Sequence, residues 1–467
     1  MVFSSIDFLF LFLPAFLMCA AAAGRSANAI LLGFSLVFYA AGEGVFVAVM
    51  VASICWNYLA GRLIDEAKGR KRRLWLALGI AGNLAMLGHF KYLTFLAQDV
   101  LGLSGAVAGI HLPLGISFFT FQAISYLVDL HRGQCALERS PLRLATYIAM
   151  FPQLVAGPIV RFASVAEALR SRMVTPTDIT QGMLLFAGGL AAKVLIADTV
   201  AEAADALFGT DAEQLRADAA ALAVVAYTLQ IYFDFLGYSL MAVGLGRMLG
   251  FRFPRNFNHP YVSLSVTEFW RRWHISLSTW FRDYLYIPLG GNRLGPVRTY
   301  ANLALVFLAT GLWHGAAWTF VVWGMFHGLF LVIERAGLGA VLARLPILVR
   351  GAYTLGVVMA GWVLFRAENL EHATAIFGAL TRLSAPMPAA AVLTTELALT
   401  LVCGVILVGP WVGRLLARQI ALPSVEPLPA PHPRALALGL ALFGTLFVLS
   451  AIKILAGSYS PFIYFRF

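Results

Sequence analysis

Two histidines in a long apolar stretch are the residues best suited to carry chemistry in this sequence. Ala301–Ile333 runs for 33 residues without an Asp, Glu, Lys or Arg, and only His314 and His327 in it titrate near neutral pH. An imidazole at bilayer depth is costly to bury and usually marks a functional site. Its ordinary pKa of about 6.5 makes it a free base at neutral pH, able to take a proton from a hydroxyl. The stretch therefore indicates proton-transfer chemistry inside a membrane.

Glycines flank both histidines. His314 stands in Gly-Leu-Trp-His-Gly and His327 in Met-Phe-His-Gly. Glycine lets another backbone or a ligand approach closely, which favours a functional role for His314. The alternative is a histidine that bonds across two helices and holds them together, and for His327 this packing role is preferred. One crossing needs roughly 20 apolar residues, so a stretch of 33 is too long for one straight helix. We therefore predict that the helix is broken at Gly311–Gly315.

A polar, aromatic segment at 251–300 precedes this stretch and is too charged to span a bilayer. From Trp270 onwards its residues follow helical spacing, which predicts one amphipathic helix at the membrane interface. Arg271, Ser278 and Arg282 lie together beside its apolar face, and His274 lies at the border. His274 is then either a second site residue or a solvated interfacial one. The apolar face comprises Trp273, Leu277, Trp280, Phe281 and Tyr284.

Asp234 is a third candidate, because it interrupts the apolar run 217–250. It either belongs to the site, pairs with a nearby arginine, or caps a broken helix. The four cysteines lie far apart with no metal-ligand or redox spacing, so no metal site is predicted.

The whole composition is that of a polytopic membrane protein. Hydrophobic residues make up 60% of the chain and charged residues 12%, against about 25% charged in soluble domains. The net charge of +11 is scattered between apolar runs, which indicates loop anchors and no nucleic-acid partner. The apolar runs predict about 11 to 13 transmembrane and re-entrant helices. We expect Arg62–Arg73 to be cytoplasmic, the first run to be a retained span, and Ala421–Pro433 to be an extended Pro-rich loop.

The sequence resembles the membrane-bound O-acyltransferase family, and within it the alginate O-acetyltransferase branch. The resemblance covers nearly the full length and includes LPLGISFFTFQAISYLVDLHRG, FPQLVAGPIVRF, YFDFLGYS, GFRFPRNFNHPY and WRRWHISLSTWFRDYLYIPLGGNR followed by GLWHG. It implies an all-α bundle around a central tunnel, formed as one domain over 1–467. It further implies that 301–335 is the catalytic histidine region, with His314 essential and His274 nearby. Leu236 and Leu240 stand where relatives usually carry Ser and Asp, which questions a role for that loop in binding a polar substrate or partner.

The resemblance also implies a reaction. Acetyl-CoA would donate an acetyl group from the cytoplasm, and His314 would deprotonate an acceptor hydroxyl. His274, or the hydrogen-bond donors Trp313 and Asn292, would orient the thioester or stabilise the oxyanion. The arginines expected to meet the phosphates of acetyl-CoA are Arg271, Arg272 and Arg282, with anchoring at the membrane interface as the alternative.

The location and partners follow from the same resemblance. The protein would lie in a bacterial inner membrane, in contact with lipid, and would modify an extracellular or periplasmic polysaccharide. A periplasmic acyltransferase and the polysaccharide-export machinery would be its partners. The alternatives are transfer of D-alanyl or another acyl group to a cell-wall polymer, a transporter that uses the histidines as proton relays, and a non-catalytic scaffold.

Overall fold

The fold is built from helices. The computed structural model describes residues 1–103, 110–155, 157–416, Val425 and 432–457. Within these residues no strand occurs, and one isolated parallel bridge joins Leu215 to Met387. The predicted all-α class is confirmed. Most of Ala421–Pro433 lies outside the described residues, as does the C-terminal SPFIYFRF.

Twenty-two α-helices follow one another along the described chain. They are α1 Leu13–Ala22, α2 Ala27–Glu43, α3 Val47–Glu66, α4 Gly69–Leu87, α5 Leu93–Phe95, α6 Ile116–Arg132, α7 Pro141–Ala149, α8 Phe151–Leu154, α9 Phe162–Arg170, α10 Pro176–Ala191, α11 Asp198–Phe208, α12 Ala217–Met248, α13 Val266–Arg272, α14 Ile275–Phe281, α15 Gly295–His314, α16 Trp318–Ile333, α17 Gly339–Leu342, α18 Ile347–Arg366, α19 Leu370–Ala379, α20 Thr395–Leu407, α21 Trp411–Leu416 and α22 Pro433–Leu455.

Wider and tighter helical turns connect several of these helices. The π-helical turns are Asp7–Phe12, Gly88–Tyr92, Leu96–Val100, Ala192–Ala197, Arg282–Tyr286 and Glu334–Leu338. The 3₁₀ turns are Gly24–Ser26, Gly44–Phe46, Pro260–Val262 and Ala389–Ala391.

Six helical stretches of the described chain are long and apolar enough to cross a membrane. They are Gly24–Glu66, Pro176–Phe208, Ala217–Met248, Trp318–Leu342, Ile347–Arg366 and Pro433–Leu455, and two shorter apolar helices are Asp7–Ala22 and Thr395–Leu407. This confirms a multi-pass membrane protein. The number of crossings, their orientation and the central tunnel stay predictions.

The chain divides into two compact units. The first contains Met1–Phe186 and Tyr238–Pro254, and the second contains Ala187–Gly237 with the described parts of Arg255–Leu422 and Leu428–Phe467. Every candidate site residue belongs to the second unit. A single domain over 1–467 stays a prediction.

Phenylalanines form the core of the first unit near the N-terminus. The rings of Phe8, Phe12, Phe16 and Phe38 surround Phe151, with centroid distances to it of 5.0 to 6.1 Å. Most of these pairs meet edge to face, the arrangement that the aromatic quadrupole favours. The N-terminal aromatic residues are therefore packed inside this unit.

In the second unit the long uncharged stretch folds into two antiparallel helices, α15 and α16. A Cβ atom placed on Gly311 would lie 2.3 Å from the carbonyl oxygen of Phe320, and one on Gly324 would lie 2.3 Å from that of Phe307. The two backbones thus touch, which only glycine permits. The predicted break is confirmed at the end of its interval: α15 ends at His314 and Gly315 is extended.

A buried ion cluster ties α12 to the segment between α10 and α11. The Lys193 ammonium lies 2.5 Å from Asp198 and 3.1 Å from Asp234, and all three side chains are buried. Asp234 is expected to pair with an arginine or to cap a broken helix. It does form an ion pair, but its partner is Lys193. It does not cap a broken helix, because it lies inside the continuous helix α12. The YFDFLGYS segment is likewise no loop: it lies inside the 32-residue helix α12, where Leu236 and Leu240 are half-buried.

Candidate active site

His314 lies at the carboxyl end of α15, enclosed by aromatic rings. Its side chain is buried, and its ring meets Trp323 of α16 edge-on, with centroids 5.0 Å apart and an angle of 84°. Phe365 of α18 contacts another side of the ring, at 5.2 Å and 75°. These rings exclude bulk water, so an imidazole here works in a medium of low dielectric, where electrostatic interactions are strong.

His274 lies between α13 and α14 in a left-handed conformation, with φ of 42° and ψ of 56°. The predicted continuous helix is therefore wrong, because it breaks at this residue. The cause is pairing with an earlier loop: the Ile275 N–H donates to the Asn256 carbonyl oxygen at 2.9 Å, and the Asn258 N–H donates to that of Arg272 at 3.0 Å. Those bonds replace part of the helical ladder and turn the imidazole inward.

The position of His274 is also inconsistent with a solvated interfacial residue. Its side chain is fully buried, and the ring of Phe235 meets it perpendicularly at 4.6 Å. Burial lowers the pKa of His274 well below its ordinary value, because the charged imidazolium loses its hydration. The ring is therefore neutral at physiological pH.

Trp313 brings the two histidines together. Its ring centroid lies 5.9 Å from that of His274 and 5.0 Å from that of His314. Three predicted site residues from two separate motifs, forty residues apart in sequence, thus form one buried cluster. We call His274, Trp313 and His314 the histidine cluster.

The family model described as MBOAT, membrane-bound O-acyltransferase family, matches residues 114–365, which is more than half of the chain. The chain belongs to the membrane-bound O-acyltransferase family. It is an O-acyltransferase, which excludes the transporter and scaffold alternatives.

Several curated relatives are similar over most of this acyltransferase. A probable alginate O-acetylase of Pseudomonas putida is 43% identical, with 100% of both chains covered. A probable alginate O-acetylase of Pseudomonas aeruginosa is 46% identical over 81% of this chain and 75% of that protein. A peptidoglycan O-acetyltransferase of Helicobacter pylori is 37% identical over 75% of this chain and 73% of its own. The predicted family and its alginate O-acetylase-like branch are confirmed.

A cavity of about 290 Å³ opens beside this part of the acyltransferase. Arg271, Arg282 and Arg335 line it together with an apolar wall formed by Trp270, Leu277, Phe281, Tyr286, Leu303, Val306, Phe307 and Leu331. Two of the three predicted arginines thus share one cavity. The third, Arg272, does not line it and bonds instead to Glu268 at 2.7 Å and to the Asn258 carbonyl oxygen.

Helix α13 carries Trp270 and Arg271. Hydrogen bonds from two sides fix its first turn. Ser265 accepts from the Glu268 N–H at 3.0 Å, as in the start of a capping box. Glu334, just past α16, accepts from the N–H groups of Val266 and Thr267 at 2.6 and 2.9 Å. The carboxylate also compensates the positive end of the helix dipole. These hydrogen bonds therefore hold in place the helix that carries Trp270 and Arg271 of the cavity wall.

The remaining candidates lie apart from the histidine cluster or beside it. Asn292 is exposed in the turn after Tyr286, so the structure does not bury it with the histidines. Asp234 belongs to the ion cluster, and its neighbour Phe235 contacts His274. His327 packs between Trp270 and Trp323, each at 5.2 Å, and the backbone of Gly361 lies against its ring; among the described residues neither ring nitrogen has a hydrogen-bond partner, so the ring packs between helices without the bond across them.

Three residues of the site were missed by sequence reasoning. Asn256 contacts His274, Trp323 contacts His314, and Arg335 lines the cavity. A signal existed for Arg335, because it is the first basic residue after the uncharged stretch. Within the described residues no group of three or more His, Cys, Asp or Glu side chains could hold a metal ion.

Proposed function

We propose that this acyltransferase moves an acetyl group from acetyl-CoA toward a hydroxyl of an extracellular or periplasmic polysaccharide, alginate or a similar polymer. The observation that carries the proposal is the histidine cluster, in which two buried imidazoles share one indole neighbour. The names of the Pseudomonas relatives, similar over most or all of the chain, support acetyl as the acyl group and alginate as the polymer.

In the proposed reaction His314 is the general base. It takes the proton of the acceptor hydroxyl as the oxygen attacks the acetyl carbonyl carbon. The new C–O bond forms and the C–S bond of the thioester breaks, and the departing thiolate takes the proton back from His314. Acid–base catalysis of this kind contributes typically about 10²–10⁴-fold.

The negative charge that develops on the carbonyl oxygen needs a hydrogen-bond donor. Trp323 supports this role, because its side chain is fully buried and its Nε1–H has no acceptor among the described residues. Its ring also lies against His314. We assign the oxyanion to the indole N–H of Trp323, with Trp313 as the second candidate donor.

Acetyl-CoA binding is assigned to the cavity with three arginines. Guanidinium groups pair bidentately with phosphate, and the aromatic wall suits an adenine ring or the pantetheine chain. Arg271, Arg282 and Arg335 are the proposed phosphate ligands. Arg282 is already paired with Asp283 at 2.7 Å, so Arg271 and Arg335 are expected to contribute more.

Acetyl-CoA is made inside the cell, whereas the polysaccharide is acetylated outside it. We therefore propose that the protein lies in the bacterial inner membrane and passes the acetyl group to a periplasmic acyltransferase partner, in association with the polysaccharide-export machinery. The relative named for peptidoglycan favours a second acceptor, a cell-wall glycan.

The decisive experiment deletes the gene and measures O-acetyl groups on the secreted polymer after complementation. Wild type should restore acetylation and His314→Ala should not, although it inserts into the membrane at normal levels. His372→Ala is the control, a histidine of the same unit that packs against Phe208 and belongs neither to the cluster nor to the cavity wall, and should retain activity. Normal acetylation by His314→Ala would overturn the proposal.

The donor is tested with purified protein. Radiolabelled acetyl-CoA and a D-alanyl thioester are offered in parallel, and transfer is followed by the label. Transfer of D-alanyl alone would replace acetyl-CoA by the alternative donor and leave the histidine assignment standing.

A further inference from the structure

We infer that Asn256 fixes the tautomer of His274, so that Nδ1 carries the hydrogen and Nε2 presents a lone pair to a substrate. The inference rests on the proposed function and deepens it, by giving the second histidine a defined role as a hydrogen-bond acceptor. It also assigns Asn256 as a positioning residue.

The side-chain amide of Asn256 has a defined orientation. Its Oδ1 atom lies 3.3 Å from the backbone N–H of Ser276 and 2.6 Å from the Ser276 hydroxyl. A backbone N–H can only donate, so the amide atom facing it must be the oxygen and not the nitrogen. The orientation of the amide therefore follows from the chemistry of its neighbour.

The same oxygen contacts His274. Nδ1 of the ring lies 3.4 Å from Asn256 Oδ1. Because an amide oxygen only accepts, Nδ1 must be the nitrogen that carries the hydrogen. In a neutral imidazole the other nitrogen then holds the lone pair, and burial keeps the ring neutral by lowering its pKa.

The second nitrogen, Nε2, has no hydrogen-bond partner in the described part of the chain, although the ring is fully buried. The rings of Phe235 and Trp313 contact the imidazole ring, and neither titrates. On those helices Asp234, next to Phe235, pairs with Lys193, and His314 follows Trp313 in the chain. On its own segment, Arg272 is held by Glu268. A buried acceptor is costly to leave unsatisfied, which is expected where a ligand completes it.

This arrangement determines what His274 does in the reaction. A neutral ring with its lone pair on Nε2 cannot donate there to the oxyanion. It accepts a hydrogen bond from a substrate O–H or N–H. The two sources of that donor are the hydroxyl of the acceptor and the amide N–H of the pantetheine arm of acetyl-CoA.

The tautomer is tested by nitrogen NMR on full-length protein labelled with ¹⁵N-histidine, with the His274 signals assigned by their loss in His274→Gln. We expect a neutral ring protonated at Nδ1 in the wild type and loss of that preference in Asn256→Leu. A wild-type ring protonated at Nε2 would overturn the inference.

Kinetics separate the two sources of the hydrogen bond. Asn256→Leu should lower the rate of transfer by roughly 10²-fold, the usual effect of misplacing a reacting group. Asn302→Leu, which removes another buried amide of the same unit, should keep the rate within a few fold. A raised KM for acetyl-CoA would identify the pantetheine amide, and an unchanged KM with slower transfer would identify the hydroxyl. Wild-type kinetics in Asn256→Leu would overturn the role of Asn256.

Asn256→Asp distinguishes a residue that positions the imidazole from one that only supports the fold, because only the former should change the pH–rate profile. A carboxylate beside Nδ1 stabilises imidazolium and raises the pKa of His274, so the acid limb of the pH–rate profile should shift to higher pH. An unshifted limb with normal expression would count against the contact. If purified wild type transfers no acetyl group, the proposed function fails, whereas the NMR measurement still decides the tautomer.

Discussion

His314 and Trp323 meet edge to face at the junction of α15 and α16, with ring centroids 5.0 Å apart. The two residues come from opposite sides of the turn Gly315–Ala317, and the close approach of α15 and α16 at Gly311 and Gly324 holds their helices together. A base and an indole N–H donor are thereby presented within one aromatic enclosure.

Trp323→Phe should keep the enclosure and lose the N–H donor. We expect the transfer rate to fall by roughly 10²-fold, the typical effect of removing one oxyanion donor, with little change in KM. Steady-state kinetics with acetyl-CoA measure both quantities. The control is Trp362→Phe, whose N–H already donates to the Tyr261 hydroxyl at 3.1 Å. Equal losses in both variants would contradict the assignment.

Gly324→Ala should separate α15 from α16. The added methyl group would lie 2.3 Å from the carbonyl oxygen of Phe307 and 3.1 Å from the Cα of Gly311, and neither backbone atom can yield without a helix shift. Overpacking of this kind costs about 1–3 kcal/mol of stability. The melting temperature and the transfer rate should both fall. Gly356→Ala, with open space at its Cβ position, should be unaffected, and a harmless Gly324→Ala would show that the helices can part freely.

Reversing the charge at Arg335 should weaken binding of the donor. A charge-assisted hydrogen bond contributes about 1.5–3 kcal/mol, so Arg335→Glu should raise the KM for acetyl-CoA at least about tenfold and leave kcat nearly unchanged. Arg271→Glu should act in the same direction. Arg298→Glu replaces an exposed arginine that does not line the cavity. If all three variants behave alike, the cavity arginines act as interfacial anchors.

Lys193→Met should destabilise the second unit strongly, because it removes the shared cation from Asp198 and Asp234. Breaking a buried ion pair costs about 3–5 kcal/mol. The expected result is a low yield of inserted protein and a lowered melting temperature in detergent. Combining Lys193→Met with Asp198→Asn and Asp234→Asn should restore much of the yield. Failure of this rescue would point to a requirement for the charges themselves.

Patterns among residues close together in the sequence predicted the helices and their buried faces well. The uncharged stretch predicted two helices around His314, and the aromatic spacing placed Trp273 and Leu277 on a buried face. What failed depended on contacts remote in sequence. The helix break at His274 comes from bonds with Asn256 and Asn258, and the partner of Asp234 lies in another helix. Helical periodicity contains no information about such partners, since it reports only which face is apolar.

The ion cluster also has a consequence for biogenesis. Lys193 and Asp198 are only five residues apart, so they can neutralise each other as soon as that segment enters the membrane during synthesis. A lone charge at the centre of a nascent helix would cost about 2.5–3.5 kcal/mol on insertion. Asp234 is synthesised later, when the lysine that pairs with it in the folded protein is already part of the chain. The order of these three residues in the chain is thus also the order in which their charges can be neutralised during synthesis.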